Sequence, residues 1–262
     1  MRLKLQLQCY ERENVIPVNY QYPLASAIYK ILQQADAEYS AFLHETGYGK
    51  GFKLFTFSDI KCPFSIKDDR LILQSAQVEL IVCFHLPKAA ETFIKGLFLS
   101  QQISIADTYS KASFTVMQVA SLSSVLDGFA GGNSVDLLLK PISPIVCGFK
   151  KENGYYDFLS PENERYEEML FINWEEKCKA VFGDDVGSHK MDSAFIQTIF
   201  YNNPPKSHLI TIKAHTPEAT KIRGFNNFKI NVKGEKDIVE LVLNSGIGLY
   251  NAQGMGCMDI FR

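Results

Sequence analysis

Residues 41–58, AFLHETGYGKGFKLFTFS, set one histidine before a glycine-rich turn and two lysines within and just after it. The His44 imidazole can move a proton near neutral pH. The ammonium groups of Lys50 and Lys53 can carry charge that develops on an anion. The same residues also fit a helix cap, a turn and a strand. A histidine near a helix C-terminus serves the last carbonyls, and a lysine opening a strand is an ordinary solvated charge. Taken alone, the stretch supports the cap. His85, His189, His208 and His215 lack such a setting. No carboxylate cluster or His/Cys spacing points to a metal, so neither metal nor cofactor is expected.

The surrounding elements repeat one order. Leu3, Leu5, Leu7 and Cys9 alternate with polar residues as in a half-buried strand. Leu24, Ala27, Ile28, Ile31, Leu32 and Ala35 follow at helical spacing. A second short helix is expected over Asp36–Glu45, with Gly47 and Gly49 as its stop. Strands at KLFTFSDI and Val78–Phe84, a helix at KAAETFIKGLFLS and a strand at ASFTVMQVA complete β-α-β-β-α-β. The second half gives the same order. SPIVCGFK reads as its first strand, and Ser160, Pro161 and Glu162 read as the start of a helix bearing Tyr166, Leu170, Trp174, Cys178 and Val181. HLITIKAH and NFKINVKG read as the middle strands, Lys236–Leu243 as a helix and GMGCMDIF as the last strand. The expected fold is therefore α+β, two tandem ferredoxin-like (RRM-like) βαββαβ domains over 1–125 and 126–262. The junction is expected near DGFAGGNSVDLLLKPISP. The aromatic sheet signature of RNA-recognition motifs has no good match, so RNA binding by a sheet face is not expected.

The chain has 262 residues, 46% hydrophobic, and a net charge of −2. It carries no membrane-length apolar run and no signal-peptide pattern at MRLKLQLQCY. Six singly scattered cysteines suit free thiols in a reducing cytoplasm. Charge is segregated. Lys206, Lys213, Lys221, Arg223, Lys229, Lys233 and Lys236 outnumber Glu218 and Glu235 in one segment, whereas 161–185 is mostly acidic. Such segregation can give a near-neutral protein a basic face for nucleic acid. An acidic solvated helix beside ordinary strands explains it equally well.

The segment SGIGLYNAQGMGCMDI holds Gly246, Gly248, Gly254 and Gly256 as G-x-G, five residues, G-x-G. Such glycines either offer amides to phosphates or let the loop pack closely on a neighbouring domain. The loop ends a helix and enters a strand, so it is neither a dinucleotide fingerprint nor a Walker loop. A tandem ferredoxin-like chain ending this way resembles the CRISPR-associated endoribonucleases that process repeat RNA. KPISPIV, YYDFLSPENERYEEML and ATKIRGFNNFKINVKG resemble further segments of that family, so the likeness spans nearly the whole chain. The tip LYNAQ departs from the family by lacking a basic residue.

The resemblance implies metal-independent cleavage of repeat RNA in the precursor transcript. The 2′-hydroxyl attacks the adjacent phosphate and leaves a 2′,3′-cyclic phosphate and a 5′-hydroxyl. It implies a catalytic set of Tyr29, His44 and Lys53, with His44 in proton transfer, Lys53 on the phosphorane and Tyr29 at the 2′-hydroxyl. Base and acid stay open between Tyr29 and His44, and Lys50 stays open as the alternative cation or as a phosphate contact. RNA binding is expected at Lys50, Lys206, Lys213, Lys221 and Arg223, and at Gly246, Gly248, Gly254 and Gly256. The implied partner is CRISPR repeat RNA. Other effector-complex subunits and a homodimer are open partners, and no membrane is expected. The alternative is a non-catalytic RNA-binding subunit of a CRISPR effector complex.

Overall fold

The computed structural model describes residues 1–9, 14–129, 132–152 and 154–261. The first half runs β1 (Arg2–Cys9), β2 (Val15–Pro17), α1 (Gln21–Ala35), α2 (Ala37–Glu45), β3 (Phe55–Phe57), β4 (Phe64–Lys67), β5 (Arg70–Leu73), β6 (Gln77–Phe84), α3 (Pro87–Ser100), β7 (Gln102–Ala106) and β8 (Lys111–Leu122). The second runs β9 (Ser134–Pro141), β10 (Gly148–Lys150), β11 (Tyr156–Phe158), α4 (Tyr166–Phe182), α5 (Asp184–Met191), β12 (Phe195–Phe200), β13 (Lys206–Ile212), β14 (Thr220–Asn226), β15 (Phe228–Glu235), α6 (Lys236–Ser245) and β16 (Met258–Ile260).

The main sheets are ordered β3-β6-β1-β8-β7 and β12-β15-β9-β16. Numbering the four strands of each βαββαβ unit in turn, both read 2-3-1-4, the ferredoxin-like order, with β7 added at the edge of the first. The alternation in β1 explains its central place. Leu3, Leu5 and Leu7 are buried, and Leu5 pairs with Leu80 of β6 and Val119 of β8. The α1 stripe of Leu24, Ile28, Ile31 and Leu32 packs into the same core. Asp36 starts α2 by accepting from the Tyr39 amide at 2.9 Å, an N-cap that ends α1 and turns the chain.

Four expectations need correction. The first strand of the second sheet is β9, inside the segment read as the junction, because Val135, Leu137 and Leu139 alternate into the core. Ala130 and Gly131 of that segment lie outside the described residues. SPIVCGFK supplies only β10 and two isolated bridges, Ile145 to Phe225 and Val146 to Leu249. The strand at HLITIKAH leaves the sheet and forms a separate hairpin, β13–β14, while β12 takes its place beside β15. Finally, α4 starts at Tyr166 and not at Pro161. Asn163 accepts from the Arg165 amide at 3.0 Å, and its carbonyl accepts from the Tyr166 amide, so 161–165 are spent in turns.

The units are bolted together by polar contacts as well as apolar ones. Arg2, 5% exposed, donates to the Met258 carbonyl and pairs with Asp259 at 3.1 Å. The Asp59 amide donates to the Ile142 carbonyl at 2.9 Å. The cysteines are free, as expected, but two scattered ones meet across the halves, with Cys83 Sγ 3.9 Å from Cys257 Sγ. No helix among the described residues is long and apolar enough to cross a membrane.

Candidate active site

A cleft of about 750 Å³ opens between α1, α2 and the 46–54 turn on one side and α4 and the glycine loop on the other. Tyr29, His44 and Lys53 all line it. They come from three elements: the middle of α1, the last turn of α2 and the approach to β3. Tyr29 meets His44 edge to face, with ring centroids 5.2 Å apart at 85°, and its other side packs on Phe55 at 5.6 Å. The Lys53 ammonium donates to the His44 carbonyl at 3.0 Å. That bond caps α2 and brings the cation to the histidine. The His44 side of α2 is exposed and Tyr29 half-buried. Burial raises the Tyr29 pKa, so the phenol keeps its proton at neutral pH. Burial lowers the Lys53 pKa from its ordinary value.

Sequence spacing leaves two lysines competing, and the geometry separates them. Lys50 turns outward to Glu176 of α4 at 2.6 Å, away from the cleft lining. Its neighbour Gly49 sits so close to α4 that an added Cβ would stand 2.6 Å from the Ala180 Cβ. Leu54, at φ +53, is buried in the core of the second unit, and Tyr48 and Phe52 pack against that core. The turn that presents Lys53 is thus inserted into the other half of the molecule. A leucine tolerates this left-handed backbone only because burial holds it there.

The glycine loop packs at close quarters. A Cβ on Gly254 would stand 2.3 Å from the Phe57 ring of β3, and one on Gly256 would stand 1.9 Å from the Ile247 carbonyl oxygen at φ +67. The Thr56 hydroxyl donates to the Met255 carbonyl at 2.9 Å, fastening the loop to the first unit. Close packing therefore explains these glycines by itself. It also leaves donors free, since the amides of Gly248 and Ala252, both lining the cleft, donate to no group among the described residues. Gly256→Ala is expected to cost at least about 2 kcal/mol through backbone strain and the carbonyl clash, read as a lower urea midpoint.

Lys206, Lys213, Lys221 and Arg223 do not line the cleft. Lys221 and Arg223 lie on the outer face of β13–β14, opposite the buried Ile222, and Lys206 lies exposed at the hairpin's start. Lys213 pairs with Glu218. Lys213 also lines a second groove of about 810 Å³, which shares Tyr22, Ser26 and Lys30 with the cleft. The hairpin is tied to the first unit by the Thr211 amide, which donates to Asn19 at 2.9 Å.

Sequence reasoning missed Lys177 and Asn251. Lys177 is 2% exposed, lines the cleft, and donates to the Gly246 carbonyl at 2.8 Å and to Asn251 Oδ1 at 2.6 Å. The signal was present, because Lys177 stands three residues after Trp174, within the buried stripe of α4. Burial lowers its pKa to about 7. The unfolded chain binds that proton more readily, so between about pH 7 and the ordinary lysine value this group makes stability rise with pH. The stability difference between the native chain and Lys177→Met, followed by urea unfolding from pH 7 to 10, is expected to carry that slope.

The family model described as CRISPR-associated protein Cas6, N-terminal, matches residues 15–120. The one described as CRISPR associated protein Cas6, C-terminal, matches residues 133–260. The chain belongs to the Cas6 family. Tyr29, His44 and Lys53 fall within the N-terminal match and the glycine loop within the C-terminal one. The chain is 28% identical over 262 residues to a protein named CRISPR-associated endoribonuclease Cas6 1 from Methanocaldococcus jannaschii, covering 98% of this chain and 91% of that one. A solved structure described as a Cas6-related gene from Pyrococcus furiosus aligns with TM-score 0.80 at 21% identity, over 100% of this chain and 98% of that one. Another, described as an RAMP protein binding different RNA substrates, aligns with TM-score 0.78 at 17% identity over 100% of both chains. The two structures share the fold of this Cas6-family chain.

Proposed function

We propose that this chain is a metal-independent endoribonuclease that cleaves CRISPR repeat RNA in the precursor transcript. The observation that carries the proposal is the convergence of Tyr29, His44 and Lys53, from three elements, on a cleft closed by the glycine loop. Family membership and the likeness to a named Cas6 endoribonuclease support the substrate class. The 2′-oxygen upstream of the cut attacks phosphorus, its proton passes to solvent, and the bond to the 5′-oxygen breaks. His44 gives a proton to that oxygen. The Lys53 ammonium and the free amides of Gly248 and Ala252 stabilise the charge that builds on the phosphorane. Tyr29, holding its proton, orients the 2′-hydroxyl as a hydrogen-bond donor. The products are a 2′,3′-cyclic phosphate and a 5′-hydroxyl.

The direct experiment mixes the protein with repeat RNA from its own locus and measures binding and cleavage together. Cutting at one position in the repeat supports the enzyme. Tight binding without any cutting supports a non-catalytic RNA-binding subunit and overturns the proposal.

The RNA is proposed to leave the cleft along the second groove toward β13–β14. Reversing the charge at both Lys213 and Arg223 is expected to weaken binding. The salt slope of log K is expected to fall by about one unit for each phosphate that is no longer neutralised. Unchanged affinity and slope in a filter-binding titration would remove the hairpin from the path.

A further inference from the structure

Lys177 is a buried, charge-bearing group in the cleft wall that the proposed chemistry does not use. We propose that Lys177 is a positioning residue for RNA cleavage, a post that ties the glycine loop and the catalytic turn together so that loop amides and Lys53 face one phosphate. The cleavage part rests on the endoribonuclease reading above.

The geometry runs through one ammonium group. On one side Lys177 donates to the carbonyl of Gly246, where the loop begins, and to Asn251 Oδ1 at its tip. The same Asn251 donates through Nδ2 to the Ile247 and Met255 carbonyls, each at 3.0 Å. One Lys–Asn pair therefore holds the start, the tip and the end of the loop. On the other side the ammonium lies 5.9 Å from the centre of the Phe52 ring. Phe52 directly precedes Lys53, and Leu54 is sunk in the same core that α4 helps to build.

A buried cation is costly unless its donors are satisfied. Lys177 satisfies two of them on the loop, so removing it leaves the Gly246 carbonyl and Asn251 Oδ1 without this donor. It also sits where the tip residues LYNAQ bring no basic side chain of their own.

The test compares the native chain with Lys177→Met and with the milder Lys177→Gln. Three quantities are read: single-turnover cleavage at saturating repeat RNA, affinity for the same RNA made uncleavable by a 2′-deoxy substitution at the cut, and hydrogen exchange of 246–256 in the free protein. A misplaced loop is expected to lower the saturating rate about 30- to 100-fold. Affinity is expected to stay within about threefold, which separates positioning from binding. Loop amides are expected to exchange at least about tenfold faster, with the rest of the sheets unchanged. A native saturating rate, or native loop exchange in both variants, overturns the proposal. If Lys177→Met does not fold, Lys177→Gln decides by the same readings. If the native chain cuts no repeat RNA, the endoribonuclease reading fails, and loop exchange in the free protein still decides whether Lys177 is the post.

Discussion

Replacing His44 with alanine is expected to slow single-turnover cleavage of repeat RNA by about 10²- to 10⁴-fold, the usual contribution of a positioned proton donor. The effect should be on chemistry and not on folding. His44 is an exposed residue in the last turn of α2, whose buried residues are Tyr39, Ser40 and Leu43. Its ring touches Tyr29 edge to face, but Tyr29 is also held by Phe55 and keeps its place without it. The backbone carbonyl that receives Lys53 survives the substitution. The thermal midpoint of His44→Ala is therefore expected to stay near that of the native chain, and RNA affinity to change little. A native rate would move the active site elsewhere. A large fall in the midpoint would assign the loss to the helix end.

Lys53→Met comes next in size, with an expected loss of about 10²- to 10³-fold in the saturating rate, as when one preorganised charge-stabilising group is removed. Here a structural contribution must be separated from the catalytic one, because Lys53 also caps α2 through the His44 carbonyl. A cation at a helix C-terminus contributes about 0.3–1 kcal/mol to stability. A rate loss of 10²-fold or more corresponds to at least about 2.7 kcal/mol in the transition state. The second number exceeds the first, so the rate should fall far more than stability does. Lys53→Arg retains the charge with a different reach and is expected to recover part of the rate. If Lys53→Met loses stability but cleaves at the native rate, Lys53 is only a cap.

The sequence carried the fold through periodicity. The alternation at Leu3, Leu5 and Leu7 and the helical stripe from Leu24 to Leu32 each have one solution, and both elements stand where that periodicity puts them. The errors arose where two signals overlapped. Val135, Leu137 and Leu139 alternate cleanly, but glycines and prolines flank them, and punctuation outweighed pattern. HLITIKAH alternates as a sheet strand would, yet its partner β14 takes it out of the sheet, a choice made by tertiary packing around Ile210, Ile212 and Ile222. The three cleft residues were legible only as a set, through family likeness, because a histidine at a helix end has an ordinary explanation. The role of Leu54 in planting the turn in the other core was not legible. Nothing in KLFTFS distinguishes a leucine facing its own sheet from one reaching across. Lys177 was hidden by its type, since a lysine on a helix is solvated by default.

The central claim is that the cleft cuts RNA with its own side chains, using the 2′-hydroxyl as nucleophile. The most direct measurement is cleavage of repeat RNA in excess EDTA, with and without a single 2′-deoxy substitution upstream of the cut, followed by analysis of the ends. The account predicts undiminished cutting in EDTA, a cyclic phosphate beside a 5′-hydroxyl, and no cutting of the 2′-deoxy RNA. Cleavage that EDTA abolishes, or 2′-deoxy RNA cut at the native rate to leave a 5′-phosphate, would contradict it.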